Sequence, residues 1–211
     1  MTDTATDISG YGYTDADLND SHVYLLPALR TELGRLGVEK RLFDLGCGNG
    51  SIGAAVQRDG WDVTGVDVSA EGIAQARARH PHLKLRTGSA YDDLAGQYGT
   101  FPVVISLEVV EHLYDPRSYA RTLISLLEPG GTAIVSTPYH GYWKNLVMAL
   151  TGKMDAHFHA LWDHGHIKFW SIPTLSTLLT EVGFANVRFL KVGRVPPLAK
   201  SMIAIAKKTP S

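Results

Sequence analysis

Four glycines fall within eight residues of the segment 41–56, which reads RLFDLGCGNGSIGAAV. They are Gly46, Gly48, Gly50 and Gly53, and an apolar run containing Asp44 precedes them. Glycine allows sharp turns and lets a ligand approach main-chain atoms that a Cβ would cover. In α/β sheets, ligands bind where a strand ends and its helix begins. The segment therefore predicts a ligand site at the carboxyl end of a strand.

Three classes of ligand compete for this glycine loop. A P-loop needs Lys and then Ser or Thr after its last glycine, whereas this chain has Asn49, Gly50 and Ser51, so that class fails. A dinucleotide site needs Gly-x-Gly-x-x-Gly, and Ser51 occupies the third glycine position. S-adenosylmethionine has no phosphate and needs one acid for its ammonium group and another for its ribose. Asp44, before the glycines, and Asp67, at the end of the next predicted strand, favour this class; a tight turn without a ligand is the simpler alternative.

A second set of reactive residues, Glu108, Glu111 and His112, follows the apolar run FPVVISL. At spacing i, i+3 and i+4 they would share one face of a helical turn. Two carboxylates and an imidazole there predict either a divalent-cation site or His112 as a general base, with Glu111 orienting its ring. A purely structural role for Glu111 and His112 is the third interpretation.

The interval 139–171 interrupts the pattern of strands and helices and holds three of the four tryptophans and five of the nine histidines. Loops of this length are usually functional or disordered, and the aromatic content favours function. Two His-x-His pairs offer imidazoles for zinc, but no cysteine lies nearby, so a substrate lid is the favoured interpretation. The pairs are His157, His159, His164 and His166.

The run YWKNLVMALTGKM within this interval has the spacing of an amphipathic helix. Its apolar face would cover the active site or touch a membrane. The residues on that face are Tyr142, Trp143, Leu146, Val147 and Leu150.

Short apolar runs alternate with helical patterns along the chain, which predicts a parallel α/β sheet. The predicted strands are RLFDL, WDVTGVD, LKLRTG, FPVVISL and PGGTAIVST, with helices at about 21–36, 51–58, 70–79, after Asp115 and Pro116, and at about 174–181. The last two runs, NVRFLKV and SMIAIAKK, have no helix between them and predict a hairpin. One antiparallel strand is therefore expected.

Composition limits the class of protein. The chain has 211 residues, 45% of them hydrophobic and 19% charged, with a net charge of −1. These values predict a globular protein without a general attraction to nucleic acid. A single cysteine excludes an internal disulfide, and the absence of a long apolar run or signal-like leader predicts a cytoplasmic protein. Residues 1–20 are predicted to be a flexible N-terminal segment.

Five motifs, in order, resemble those of class I S-adenosylmethionine-dependent methyltransferases: DLGCGNG, GVDVS, GSAYDD, SLEVVEHLYDP and LLEPGGTAIVSTP. Within that class, EVVEHLYDP and the long insertion are most similar to the ubiquinone-biosynthesis O-methyltransferases. The resemblance implies an α/β fold with a Rossmann-like seven-stranded methyltransferase sheet. That sheet would be mostly parallel with one antiparallel strand and would carry helices on both faces. The domain would span 21–211, with a lid or substrate insertion at about 139–171.

The resemblance also implies the role of each site residue. The glycine loop would line the methionine end, Asp67 would bind both ribose hydroxyls, and Val68 would flank the adenine. Ser89 and Ala90 would border the adenine ring, and Leu107 with Glu108 would close the site beneath the sulfonium. The predicted cofactor-binding residues are Asp44, Gly46, Cys47, Gly48, Asp67, Val68, Ser89, Ala90, Leu107 and Glu108.

Residues and resemblance together predict transfer of the sulfonium methyl to an oxygen of a small, aromatic or lipid-like acceptor. His112 and Glu111 are the predicted catalytic residues, and the resemblance implies a divalent ion such as Mg²⁺ held by Glu108, Glu111 and His112. The alternatives are a sugar, a natural-product nitrogen or a tRNA base as acceptor, or a non-catalytic cofactor-binding subunit. No nucleic-acid partner is expected, a peripheral membrane contact is an option, and the oligomeric state stays open.

Overall fold

A computed structural model describes residue 18 and residues 20–158, 161–162 and 165–210. Most of the predicted flexible N-terminal segment, together with His159 and His164 of the two His-x-His pairs, lies outside the described residues. The strands are β1 (Arg41–Leu45), β2 (Asp62–Asp67), β3 (Lys84–Thr87), β4 (Phe101–Leu107), β5 (Leu127–Pro138), β6 (Phe184–Val192) and β7 (Ser201–Lys208).

The helices are α1 (His22–Arg35), α2 (Ser51–Gln57), α3 (Ala70–Arg79), α4 (Leu94–Tyr98), α5 (Pro116–Ser125), α6 (Tyr142–Leu150), α7 (Met154–His157) and α8 (Ile172–Glu181). Short 3₁₀ turns occur at Val110–His112 and Pro196–Leu198. Local capping explains several helix starts. The Asp115 side chain accepts a hydrogen bond from the Ser118 amide at 3.1 Å at the start of α5. Ser171 and Thr174 form a capping box that starts α8 earlier than the predicted residue 174.

The strands form one seven-stranded sheet in the order β3-β2-β1-β4-β5-β7-β6. All neighbouring strands are parallel except β7, which is antiparallel to both β5 and β6. The predicted mostly parallel sheet, its antiparallel strand and its terminal hairpin are therefore confirmed.

Helices cover both faces of this sheet, as predicted. One core contains α1, α2 and α3 and takes Leu42 and Val103 from the central strands. The other contains α4, α5 and α8 and takes the adjacent residues Phe43 and Val104. Successive side chains of a strand point to opposite faces, and burial on both sides explains why β1 and β4 read as continuous apolar runs.

The segment after β4 differs from its prediction. The sequence predicts one helical turn carrying Glu108, Glu111 and His112, but only Val110–His112 form a 3₁₀ turn. Glu108 has a φ of 55°, in the left-handed region. Its amide donates to the Ser136 hydroxyl at 3.0 Å, which ties it to β5 rather than to a helix. Glu108 and Glu111 therefore do not share a helical face.

Candidate functional site

A cavity of about 660 Å³ opens at the carboxyl ends of the central strands. Each of the predicted cofactor-binding residues lines it, and so does His112; Glu111 does not. Their place in one cavity agrees with the expected position of a ligand in a parallel sheet. Ligand binding by these residues is still a prediction.

Asp67 ends β2 and holds the glycine loop against it. Its Oδ2 accepts a hydrogen bond from the Gly48 amide at 2.8 Å, and its Oδ1 accepts one from the Ser69 amide at 2.8 Å. A carboxylate offers about four lone-pair positions, so it can accept several hydrogen bonds at once. The arrangement fits a carboxylate fixed in place for ribose hydroxyls.

Asp44, at the end of β1, is only 3% exposed and lines the cavity. Its Oδ2 has no hydrogen-bond partner among the described residues. Burial, and then repulsion from Asp67, raises its pKa to about 7. A buried carboxylate that lacks a partner is stabilised by an arriving cation. This oxygen fits the ammonium group of S-adenosylmethionine.

The glycine loop needs its glycines for two different reasons. Gly46 has a φ of +86° and lies so close to Val109 that a Cβ would collide with that side chain. Gly50 has a φ of +74°, a conformation that few side-chain-bearing residues adopt. Gly46 lines the cavity, whereas a Cβ at Gly50 would lie within 3.0 Å of the core side chains of Leu85 and Ala76.

At the other end of the cavity, Glu108 is held by two hydroxyl groups. Ser136 donates to its Oε1 at 2.8 Å and Ser201 to its Oε2 at 3.3 Å. Burial raises the pKa of Glu108 to about 7, while the two serines and the charge of Lys144 act in the opposite direction. The carboxyl is therefore engaged with β5 and β7.

Glu111 lies behind the cavity wall and is 1% exposed. Neither of its carboxylate oxygens has a hydrogen-bond partner among the described residues. Burial, and then the charge of Glu108, raises its pKa well above the usual range; the nearby Thr137 hydroxyl opposes this without forming a well-directed hydrogen bond. A carboxyl in this state is suited to holding a proton or a cation.

His112 projects into the cavity, and its Nδ1 lies 3.2 Å from the Gly165 carbonyl oxygen. That carbonyl therefore fixes the orientation of the His112 ring. The sequence predicts Glu111 for this role. Glu111, His112 and His166 each offer a ligand atom, and these atoms all lie within 4.8 Å of one another. Glu108 is outside this group, because its carboxyl is engaged elsewhere. The predicted metal set of Glu108, Glu111 and His112 shares two residues with this group and stays a prediction.

Several residues that line the cavity had no assigned role in the sequence. Val109, Leu113 and Ile167 make the end near His112 apolar, and Tyr114 stands at its rim, 85% exposed. They come from two separate segments, so no local pattern could group them. His166 had a signal, the His-x-His spacing, but the spacing alone did not indicate its neighbours.

The N-terminus of α1 reaches the cavity at the end that contains the glycine loop. His22 lines the wall, with its Nδ1 3.3 Å from the Ser51 hydroxyl. Burial lowers the pKa of His22 to about 4, so its ring is neutral at physiological pH. The sequence indicates Tyr11, Tyr13, His22 and Tyr24 either as a cover for the cofactor or as packing residues; Tyr11 and Tyr13 lie outside the described residues, and Tyr24 is not among the residues that line the cavity.

Comparison with known proteins establishes the class. Residues 19–188 match the family described as Methyltransferase domain, and the chain belongs to that family. Its sheet order is shared with the neighbouring solved structures, among them a SAM dependent methyltransferase from Archaeoglobus fulgidus (17% identical, TM-score 0.64), so the chain has the fold of the class I methyltransferases.

Curated relatives carry the name ubiquinone biosynthesis O-methyltransferase. The protein from Caulobacter sp. (strain K31) is 42% identical over 101 residues, which are 46% of this chain and 40% of that protein. The protein from Ruegeria pomeroyi is 34% identical over 175 residues, 78% of this chain and 70% of that protein. The chain thus spans less than half the length of the first of these relatives.

Among solved structures, phosphoethanolamine N-methyltransferase 2 from Haemonchus contortus, in complex with S-adenosyl-L-methionine, superposes with a TM-score of 0.64. It is 14% identical, and the match covers 88% of this chain and 52% of that one. At this identity the likeness shows the shared fold, and the acceptor has to be argued from the site.

Proposed function

We propose that this protein transfers the methyl group of S-adenosylmethionine to an oxygen of a small, aromatic or lipid-like acceptor. One observation carries the proposal: a single cavity joins two acids at the ends of β1 and β2 to an apolar end that contains His112. The acids suit a cation and a ribose. The apolar end suits an uncharged, ring-containing acceptor.

S-adenosylmethionine supplies an activated methyl group on a sulfonium centre. In this proposal the carboxylate of Asp44 binds its ammonium group, and Asp67 accepts hydrogen bonds from its ribose hydroxyls. Ser89, Ala90 and Val68 enclose the adenine. These groups are held by strand ends and by the glycine loop, so little reorganisation is needed on binding.

The acceptor lies between Leu113, Ile167 and His112, with Tyr114 at the rim. Closing this apolar end around the acceptor removes water from its oxygen and aligns it with the methyl carbon. The relatives' name, O-methyltransferase, supports oxygen as the atom that is methylated.

His112 handles the proton. The acceptor oxygen forms the new C–O bond, the C–S bond breaks, and its electron pair stays on sulfur. The proton leaves the oxygen for the ring of His112, whose orientation the Gly165 carbonyl fixes. In the alternative arrangement, Glu111 and His112 would hold a divalent ion, and that ion would supply the positive charge that lowers the pKa of the acceptor hydroxyl.

An acceptor screen tests the reaction. The protein is incubated with S-adenosylmethionine and a prenylated catechol, a sugar, an amine or tRNA, and methylated product is measured by mass spectrometry. We expect methylation of the catechol oxygen, with a kcat about 10²–10⁴-fold lower in His112→Ala. His82→Ala, in an exposed loop, serves as the matched control.

Two results would contradict this proposal. Methylation of only the amine or the RNA would reassign the acceptor. Cofactor binding without turnover on any acceptor, together with a stable partner in pull-downs, would support the non-catalytic subunit.

The exposed face of α6 supports peripheral contact with an anionic membrane surface. Trp143 is 62% and Leu150 77% exposed, although both are large and apolar. On the opposite side of α6, the buried Lys144 ammonium donates to the Tyr139 carbonyl at 2.8 Å, which keeps the apolar face outward. Exposed Lys153 follows the helix and adds positive charge. Among the described residues, no helix is long and apolar enough to cross a bilayer.

Liposome flotation tests this contact. We expect the protein to float with vesicles that contain phosphatidylglycerol and to remain unbound with phosphatidylcholine alone. Trp143→Asp should abolish flotation, whereas Val23→Asp, on the exposed side of α1, should not. Failure of the unmodified protein to float with either vesicle would remove the membrane contact.

A further inference from the structure

We propose that Glu111, His112 and His166 form a site for a borderline divalent transition ion, such as Zn²⁺ or Mn²⁺, that fastens the insertion to the segment after β4. The inference deepens the metal arrangement of the proposed function, in which a bound ion, and not the His112 ring, would activate the acceptor hydroxyl, and it rests on that function for its catalytic meaning. Ion binding itself can be measured without any methyl transfer.

The three ligand atoms are already close to the separation that an ion requires. They lie within 4.8 Å of one another. Two bonds of about 2.1 Å at a tetrahedral angle separate their ligand atoms by about 3.4 Å, so side-chain rotations that bring the ligand atoms up to about 1.4 Å closer together would close the set. The ring centroids of His112 and His166 are 4.9 Å apart and tilted by 72°, so the two imidazoles are not stacked.

Glu111 gives a second and independent reason for a cation. It is 1% exposed, and both carboxylate oxygens lack a hydrogen-bond partner among the described residues. Buried carboxylates are normally paired, hydrogen-bonded or bound to a metal. Because two imidazoles lie beside this carboxylate, a bound metal ion is the interpretation that accounts for all three side chains.

Hydrogen bonds with backbone groups hold two of the three ligand residues in place, as is common around metal sites. The Nδ1 of His112 lies 3.2 Å from the Gly165 carbonyl oxygen. When Nδ1–H donates to that carbonyl, Nε2 carries the lone pair that a metal needs. The amides of Ile167 and Lys168 both donate to the Glu111 carbonyl, at 2.9 and 3.0 Å. These bonds fix the residue that follows His166 directly to the backbone of Glu111.

The donor set determines the class of ion. Two imidazole nitrogens and one carboxylate suit zinc, manganese, iron or cobalt, whereas Mg²⁺ prefers oxygen ligands. A set with Glu108 and Glu111 would have offered two carboxylates and favoured Mg²⁺. Ser136 and Ser201 instead engage Glu108, and a histidine from the insertion completes the group.

A site of this composition would connect two segments far apart in the chain. Glu111 and His112 follow β4, whereas His166 belongs to the insertion, with Trp162 packed 5.0 Å from its ring. Binding of an ion would therefore restrain the insertion beside the acceptor end of the cavity. Removing the ion should leave this segment more accessible to protease.

Titration of the metal-free protein with Co²⁺, Zn²⁺, Mn²⁺ and Mg²⁺, by calorimetry and Co²⁺ absorption, tests the site. We expect one Zn²⁺ or Co²⁺ per chain and weaker Mg²⁺ binding. His166→Ala should weaken Co²⁺ binding at least about 10-fold, whereas the insertion control His157→Ala should leave it unchanged. Thermal unfolding and cofactor affinity confirm that each variant is folded.

A measurement on the unmodified protein covers the case in which His166→Ala does not fold. NMR of the Co²⁺ form should show two strongly shifted imidazole N–H signals, one for each ligating histidine. A single signal, unchanged Co²⁺ affinity in folded His166→Ala, or tightest binding of Mg²⁺ would overturn the proposal. Because these readouts need no acceptor, loss of the ion site and loss of methyl transfer remain distinguishable.

Discussion

The two ends of the cavity are built from different parts of the chain. At the cofactor end, Asp44 and Asp67 stand on paired parallel strands, and backbone amides hold Asp67 in place. At the acceptor end, Glu108, His112 and His166 come from the segment after β4 and from the insertion. Side chains of β5 and β7 hold the first of them.

This difference associates cofactor binding with one end of the cavity and selectivity for the acceptor with the other. A site made of strand ends and main-chain amides changes little when surface residues change, because the sheet fixes it. A site assembled from a loop and an insertion can be altered without disturbing the sheet. The cofactor end therefore suits a ligand that stays the same, and the acceptor end is the part of the cavity whose ligand could change without a change in the sheet.

The largest expected effect is at Asp67. Asp67→Ala removes two charge-assisted hydrogen bonds to the ribose, each worth about 1.5–3 kcal/mol, so S-adenosylmethionine affinity should fall at least about 100-fold. Calorimetry measures the affinity, and Asp62→Ala, an exposed residue paired with Lys84, is the control. Unchanged affinity in a folded Asp67→Ala protein would refute the preorganised cofactor end.

A smaller effect, dependent on pH, is expected at Asp44. Its pKa of about 7 means that the free protein holds a proton there in mild acid, whereas an ammonium ligand requires the carboxylate. Cofactor affinity should rise with pH and level off above about pH 7, with at most about a tenfold change per pH unit below it. Asp44→Asn should bind more weakly and lose this dependence. Calorimetry between pH 6 and 8 distinguishes the outcomes, and an equal slope in both proteins would exclude Asp44 as the titrating group.

The same shift affects the stability of the free protein in the opposite direction. A carboxyl with a raised folded-state pKa contributes stability at low pH that is lost as pH rises toward that pKa. Asp44 should therefore make the unliganded protein less stable between about pH 4 and 7 as the pH increases. Denaturant unfolding of the protein and of Asp44→Asn across that range measures the difference.

The smallest effect is expected on the outer face of the insertion. Trp143 is 62% exposed and its ring contacts that of the exposed Tyr142, so in Trp143→Asp the free energy of unfolding should change by less than about 0.5 kcal/mol. Cofactor affinity should be unchanged, because α6 does not line the cavity. Chemical denaturation and calorimetry check both values. A large loss of stability would show that Trp143 packs in the core, and it would contradict the description of this helix face as exposed.

The cofactor end could be predicted from sequence because its signals are local. The glycine loop and Asp44 are within a few residues of one another, and strand periodicity alone places Asp67 beside them. The acceptor end could not be predicted in the same way. His166 meets Glu111 only because the chain returns after more than 50 residues, and the partners of Glu108 lie on β5 and β7.

Local patterns also misled where tertiary contacts prevailed. The spacing of Glu108, Glu111 and His112 has helical periodicity, yet the Ser136 hydroxyl and carbonyl capture the Glu108 amide. The predicted apolar face of α6 is present, but most of it points to solvent. Periodicity indicated which residues share a face of a helix, but it did not indicate whether that face contacts the core or the solvent.

Strand β7 lies between β5 and β6 although both precede it in the chain. During synthesis, β5 and β6 therefore emerge from the ribosome before the strand that joins them. Until residues 201–208 follow, the β5 edge has open backbone groups, and Glu108 lacks the Ser201 hydroxyl. The cofactor half of the sheet, β1 to β4, can pair earlier. Translation order thus makes the acceptor half the last part of the enzyme to mature and the part most exposed to misassembly.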